Sequence, residues 1–357
     1  MLRALYEMTR HVREGAEDAA RVAGLAVRPK PGATPRATVW QEGAMRLERV
    51  VPNHEVERVG RTPVLLVPSL INRWYVLDLY PGGSLVKILR DAGLDVWVLD
   101  WGVANDEDRH KSWDDLVLAI SRAMAVVRRT TKAPQCVLLG YSIAGTLAVI
   151  QAAREPERVA GLVNLAGPID FERSGMLQRL TDPRWFDVDA IARSGNVSPA
   201  QMLGGFLALR PTNLLGDVVK LADLHASGRD EERDAVLALA GWAYDNVPFP
   251  AKAYADYVRA LFQRNELVRG QHVIEGQRVD LSKITAPLLS IVADRDAITP
   301  PASALALEHF ISSEDRSVLV VRGGHVSGVV NPSARERFHP QLTDWMIDRV
   351  TRADAVA

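Results

Sequence analysis

Cysteine is almost missing from this sequence: Cys136 is the only one among 357 residues. It cannot close an internal disulfide, and a thiolate zinc site needs several such ligands, so both are excluded and a reducing compartment is expected. Net charge is nearly missing too, at -1 with 43 basic and 44 acidic residues. No electrostatic case for nucleic acid follows, because phosphate binding needs a concentrated basic face. Long apolar runs are absent, and none approaches the roughly 18 residues that a membrane span requires. Met1 to Arg10 mixes charges of both signs and shows no apolar stretch before a small-residue cleavage site, so no secretion signal is expected and a cytoplasmic protein is. There is no internal repeat or low-complexity tract. What is present is an ordinary globular balance, 47% hydrophobic and 24% charged, over a length that suits one large domain with an insertion, or two domains.

The first 28 residues are Ala-rich and charged and read as a surface helix, broken by Pro29-Lys30-Pro31-Gly32. From Thr62 onward, short apolar runs alternate with helical patterns. Val64-Leu65-Leu66-Val67, Val96-Trp97-Val98-Leu99, Val137-Leu138-Leu139 and Leu162-Val163-Asn164-Leu165 read as buried strands. Helices are expected over 84–92, over 113–129 behind Ser112, and over 143–154. Such alternation means parallel strand–helix–strand units and a doubly wound, mostly parallel α/β sheet. From Phe171 to about Ile284 the alternation stops, and the stretch is helical and punctuated by Pro183, Pro199, Pro211, Pro248 and Pro250. It reads as a helical cap inserted between strands. The sheet resumes with Leu288-Leu289-Ser290-Ile291-Val292 and with 317–321, and a helix from about Pro340 closes the chain. The expected division is a helical or extended N-terminal segment at 1–60, a core at 61–170 and 285–357, and a cap at 171–284.

Gly140-Tyr141-Ser142-Ile143-Ala144-Gly145 places a serine at a strand-to-helix turn, where a tight bend presents the hydroxyl above a sheet. Gly140, Ala144 and Gly145 are small enough to let the helix approach the strand. A hydroxyl nucleophile needs a base, and the base needs an orienting acid. Two later strands supply both. Asp294-Arg295-Asp296-Ala297-Ile298-Thr299-Pro300 follows one, and Gly323-Gly324-His325 follows the last. Asp296 is preferred as the acid for its spacing to Ile298-Thr299-Pro300, with Asp294 as the alternative. Without its partners, Ser142 would read as the N-cap of the next helix and His325 as a loop histidine. The expected oxyanion hole combines the backbone N–H of Ile143 with that of Leu70 or Ile71 in the loop Pro68-Ser69-Leu70-Ile71-Asn72. Cys136 reads as a small core hydrophobe. His54, His110, His225, His272 and His309 lack metal-ligand spacing, and no metal or cofactor is expected. The mixed run Arg229-Asp230-Glu231-Glu232-Arg233-Asp234 reads as a solvated helix face.

The order Ser, Asp, His, each beyond a strand, is similar to that of the α/β-hydrolase fold. A longer set of segments resembles the polyhydroxyalkanoate synthases. It comprises Val67-Pro68-Ser69-Leu70-Ile71-Asn72-Arg73-Trp74-Tyr75-Val76-Leu77-Asp78-Leu79, Leu99-Asp100-Trp101-Gly102, Trp113-Asp114-Asp115, Leu209-Arg210-Pro211-Thr212-Asn213-Leu214, Gln263-Arg264-Asn265-Glu266-Leu267, and Gly324-His325-Val326-Ser327-Gly328-Val329-Val330-Asn331-Pro332. The length resembles the short synthase subunits that act with a partner subunit. The resemblance implies a nucleophile at Ser142, an acid at Asp296 and a base at His325, and a hydroxyacyl ester or coenzyme A thioester as substrate. Its implied partners are a second copy or a synthase-type subunit, and the polymer granule surface. Those synthases carry cysteine in a G-x-C-x-G-G turn where this chain has Ser142, Ile143, Ala144 and Gly145. The expectation is therefore a serine acyl-transfer enzyme that is more hydrolytic than polymerising (an esterase, thioesterase or depolymerase). The alternatives are an active synthase using serine and an inactive synthase-like binding subunit.

Overall fold

The computed structural model describes residues 31–209, 227, 230–326, 330 and 332–356. The helix expected up to Arg28, Pro29-Lys30, Arg210-Pro211-Thr212-Asn213-Leu214, His225, Arg229, Ser327-Gly328-Val329 and Asn331 lie outside the described residues.

The four apolar runs read from the sequence are strands of one eight-stranded sheet. In chain order its strands are β1 (Arg36–Glu42), β2 (Met45–Val50), β3 (Val64–Val67), β4 (Val96–Asp100), β5 (Cys136–Tyr141), β6 (Val159–Leu165), β9 (Leu288–Ala293) and β10 (Arg316–Val321). A two-stranded hairpin, β7 (Val273–Ile274) and β8 (Gln277–Arg278), stands apart. The spatial order is β1-β2-β4-β3-β5-β6-β9-β10. From β4 to β10 every neighbouring pair is parallel. Every residue of β3, β5 and β9 is buried, as a strand must be when helices cover both faces.

Alternation along the strands splits the core in two. Leu65, Leu138, Leu162 and Leu288 face one cluster, which takes Leu116 and Ile120 from α2 (Trp113–Thr131) and Leu147 and Ile150 from α3 (Ile143–Arg154). Val64, Leu66, Leu139, Val163 and Ile291 face the other, which takes Leu85 and Leu89 from α1 (Leu85–Asp91) and Leu342 and Met346 from the C-terminal helix. Full burial of one such side chain contributes about 1.5 to 3 kcal/mol. Ser84 caps α1 through the Lys87 N–H, and Ser112 with Asp115 forms a reciprocal capping box on α2.

Two places differ from the sequence reading. Residues 36–50, left inside an N-terminal segment, form an antiparallel edge hairpin of the main sheet, joined to β4 through β2. The final helix runs Pro332–Val356 and holds Pro340 in its interior. A proline suits the first helical turn, and Pro332 occupies that place; Pro340 is tolerated at the loss of one backbone bond. Between β6 and β9 the described residues are mainly helical, with helices at Met176–Leu180, Val188–Arg193, Pro199–Leu209, Asp230–Tyr244 and Ala251–Tyr257, together with the β7–β8 hairpin.

The turn from β5 into α3 is tight. Ser142 adopts φ 58° and ψ -131°, a region that costs a non-glycine residue about 1 to 3 kcal/mol and persists only when its surroundings dictate it. Its N–H donates to the Leu165 carbonyl at 2.8 Å, and its own carbonyl accepts from Gly145 N–H at 2.7 Å. A Cβ on Gly140 would stand 2.3 Å from the Ala144 carbonyl oxygen, and one on Gly145 would stand 2.4 Å from Asn164 Oδ1 and 2.7 Å from Gly167 Cα. Buried Asn164 brackets the neighbouring turn, accepting from Gly167 N–H and donating to Gly167 carbonyl, each at 3.1 Å. Gly145→Ala is therefore expected to destabilise the chain by about 1 to 3 kcal/mol, as overpacking against backbone does; a shift of the urea midpoint at constant slope measures it, and an unchanged midpoint would contradict this account of the turn.

Candidate active site

Ser142 stands at the N-cap position of α3, yet its side chain makes no cap bond. It turns instead toward His325, whose Nε2 lies 2.8 Å from Ser142 Oγ. On the other side of the ring, His325 Nδ1 lies 2.6 Å from Asp296 Oδ2. The second carboxyl oxygen of Asp296 accepts the backbone N–H groups of Ile298 and Thr299, both at 2.8 Å. The Asp296 side chain is fully buried and that of His325 is 8% exposed, while Ser142 is half-buried. A carboxylate only accepts, so Nδ1 carries the imidazole proton and Nε2 is left to accept from the serine hydroxyl. Sequence separations of 183 and 29 residues close in space because β5, β9 and β10 are parallel and end at the same edge of the sheet.

Asp294, the alternative acid, is placed elsewhere. Its Oδ1 accepts Gly323 N–H at 2.7 Å and its side chain is 42% exposed beside Arg295. It ties the loop after β9 to the loop carrying His325 without touching the ring. Cys136 is fully buried on β5, and burial pushes its thiol up to about 12. It is a core side chain.

Two side chains near the site went unremarked in the sequence. Tyr141 is buried with its ring centroid 5.6 Å from that of His325. Burial first, and then the Asp296 charge, hold its phenol far above the ordinary value, so it packs against the imidazole in neutral form. Asn164 sits in the middle of a strand that reads as apolar, and only its bracket on the Gly167 turn gives it a role. A buried polar residue in an apolar run was the available signal for it.

The expected oxyanion donors lie on two elements. Ile143 is the first residue of α3, so its N–H has no intrahelical acceptor. Leu70 and Ile71 lie in the buried loop after β3, where Ile71 N–H faces Ser69 Oγ at 3.3 Å. A cavity of about 310 Å³ opens beside this loop, lined by Leu70, Trp101, Met45, Leu116, Val247 and Pro248 among others. Neither Ser142 nor His325 lines it.

With this geometry in view, similarities to known proteins fall into place. A family model described as alpha/beta hydrolase fold matches residues 62–332, and one described as Poly-beta-hydroxybutyrate polymerase (PhaC) N-terminus matches residues 16–89. The Poly(3-hydroxyalkanoate) polymerase subunit PhaC of Haloferax mediterranei is 30% identical over 323 residues, covering 89% of this chain and 65% of the relative. That of Allochromatium vinosum is 29% identical over 327 residues, covering 89% and 90%. Among solved structures, a monoacylglycerol lipase of Paleococcus ferrophilus superposes with a TM-score of 0.56 at 16% identity, covering 85% of this chain and 99% of the lipase. A putative lipase from Sulfolobus solfataricus gives 0.57 at 14%, covering 90% and 97%. The structural neighbours share the fold, the polymerase subunits share sequence along nearly the whole chain, and the protein belongs to the alpha/beta hydrolase fold family.

Proposed function

We propose that this protein is a serine acyl-transfer enzyme acting on hydroxyacyl esters or thioesters, with Ser142 as nucleophile, His325 as general base and then acid, and Asp296 as the acid that orients His325. The observation that carries the reading is the unbroken hydrogen-bonded line from Asp296 Oδ2 through His325 to Ser142 Oγ, at 2.6 and 2.8 Å. His325 Nε2 takes the hydroxyl proton as Oγ bonds to the acyl carbon, and Asp296 stabilises the imidazolium that forms. The tetrahedral oxyanion is held by the N–H groups of Ile143 and of the 68–72 loop. Leu70 is the better donor there, since the N–H of Ile71 already faces Ser69 Oγ. Collapse breaks the acyl–oxygen or acyl–sulfur bond and returns the proton from His325 to the leaving group. The residues 171–284 serve as a cap inserted in a core made of 61–170 and 285–357, with the 36–50 hairpin extending that core.

Serine decides which acceptor is favoured next. A cysteine acyl-enzyme is a thioester, which keeps the activation of a coenzyme A thioester and can pass it to a chain-end alcohol. A serine acyl-enzyme is an oxyester, so transfer to another alcohol is nearly energy-neutral and water competes unless it is shut out. Hydrolysis is therefore the preferred outcome, in a cytoplasmic setting, with no cofactor required. Similarity to polymerase subunits along 89% of the chain favours one second reading, a synthase that works with serine, with a second copy or a partner subunit and a polymer granule as its associates. A silent binding subunit has no need of a hydrogen-bonded Asp–His–Ser line, and fluorophosphonate labelling of Ser142 excludes or establishes it.

Ser142→Ala and His325→Ala are each expected to cut turnover of a short p-nitrophenyl ester by about four to six orders of magnitude while leaving the circular-dichroism melt in place; wild-type rates from Ser142→Ala would end the proposal. Asp296→Asn should cost about four orders of magnitude through the wrong histidine tautomer, whereas Asp294→Asn, which perturbs only the Gly323 contact, should stay within about tenfold; steady-state kinetics on the two variants tests this, and the reverse order would move the orienting role to Asp294. Ser142→Cys supplied with 3-hydroxybutyryl-coenzyme A should yield more oligomer and less free acid than the wild type by mass spectrometry. Abundant polymer from the wild type would replace the hydrolytic reading by the synthase one.

A further inference from the structure

The loop that carries Leu70 is held at both ends by tryptophan. The indole Nε1–H of Trp101, directly after β4, donates to the Pro68 carbonyl at 2.8 Å. That of Trp242, in the helix Asp230–Tyr244, donates to the Arg73 carbonyl at 2.9 Å. Between these anchors Val247 N–H donates to the Ile71 carbonyl at 3.2 Å, and Asn72 joins Asn246 through its side chain and a backbone bridge. Trp101 packs on the core cluster that contains Leu70, and Trp242 is 7% exposed within the other cluster. An indole N–H only donates, and a packed ring of this size turns little, so each bond fixes the direction of the carbonyl it meets.

We propose that Trp101 and Trp242 are positioning residues for acyl transfer, which together set the run of the 68–73 backbone and so the aim of the Leu70 N–H at the oxyanion. Neither touches a reacting atom. The inference rests on the reading of Ser142 as nucleophile and of this loop as an oxyanion donor. An oxyanion donor is effective only within about 2.7 to 3.1 Å of the developing charge, and misplacement by about 1 Å costs as much as a hundredfold in rate. Because Trp101 belongs to the sheet and Trp242 to the segment between β6 and β9, the donor keeps its aim only while the two stay docked. The bond from Trp101 also satisfies the carbonyl of buried Pro68 directly after β3, and that from Trp242 adds to the Val76 N–H at the Arg73 carbonyl.

The test uses the full chain with Trp101→Phe, Trp242→Phe, and benzothienylalanine placed at Trp101 by amber suppression, which keeps the shape of the indole and removes its N–H. Turnover of a p-nitrophenyl butyrate substrate is measured per active site, counted by the endpoint of fluorophosphonate labelling, with Ser142→Ala as the control. The expected result is a fall in kcat of about 10- to 100-fold in all three variants with KM changed less than about threefold, since the loss falls on the transition state. If Trp101→Phe lowers the melting temperature, the benzothienyl variant still isolates the hydrogen bond from the packing. Unchanged kcat per active site in the benzothienyl variant and in Trp242→Phe, with Ser142→Ala inactive, overturns this inference alone. A Ser142→Ala control that keeps wild-type turnover overturns the reading of the site and this inference with it.

Discussion

The backbone of Ser142, held at φ 58° and ψ -131°, is the constraint around which the molecule is arranged, because so costly a conformation survives only if its neighbours leave it no other. β5 and α3 must come together at Gly140 and Gly145, closely enough that a methyl group at either would overlap backbone or the Asn164 amide. Asn164 in turn fixes the turn at Gly167 against Gly145. Ala144 occupies the place where a second glycine would complete the usual motif, and it does so without strain on that approach, since it is packed in the core while Gly145 makes the contact. Smallness is required one position later than the motif suggests.

Parallel strands turn that local bend into a site. The loops after β5, β9 and β10 leave the same edge of the sheet, so a serine, a carboxylate and an imidazole far apart in sequence converge with no adjustment of the scaffold. Asp296 is tied by two backbone N–H groups and buried completely, so its second oxygen has one partner left, and the ring of His325 is pinned in direction and tautomer. Asp294 contributes at one remove by anchoring Gly323, just before His325. Two nearby carboxylates thus divide the work between orienting the His325 ring and holding its loop.

Serine at this centre and the tryptophan-held loop bear on one question, namely where the acyl group goes. On the proposed reading, an oxyester intermediate would leave little driving force for transfer to a second alcohol, so access to the site would decide the competition between water and alcohol. The segment between β6 and β9 reaches the loop after β3 through Trp242, Asn246 and Val247. On the proposed reading, the contacts that dock this segment are also those that hold the loop offering the Leu70 N–H.

Much of this was legible in the residues. Val64 to Val67, Val137 to Leu139 and Leu288 to Val292 read as strands because a strand covered on both faces is apolar at nearly every position, Ser290 being the exception. Ser112 announced its helix through cap chemistry, and Ser142, Asp296 and His325 stood out by type, order and placement after strands. The edge hairpin at 36–50 escaped because an edge strand keeps polar side chains on its open face, as Arg36-Ala37-Thr38-Val39-Trp40-Gln41-Glu42 does, and only the short Gly43-Ala44 turn hinted at it. Pro340 misled because a proline favours a helix start locally, whereas here it lies inside Pro332–Val356. The sequence by itself determined the α/β class and singled out Ser142, Asp296 and His325 as candidates, since these depend on residue type and local period. Only the tertiary structure decided that Asp296 rather than Asp294 meets the His325 ring and which indoles hold the loop after β3, because hydrogen bonds between distant residues depend on directions in space that no one-dimensional spacing records.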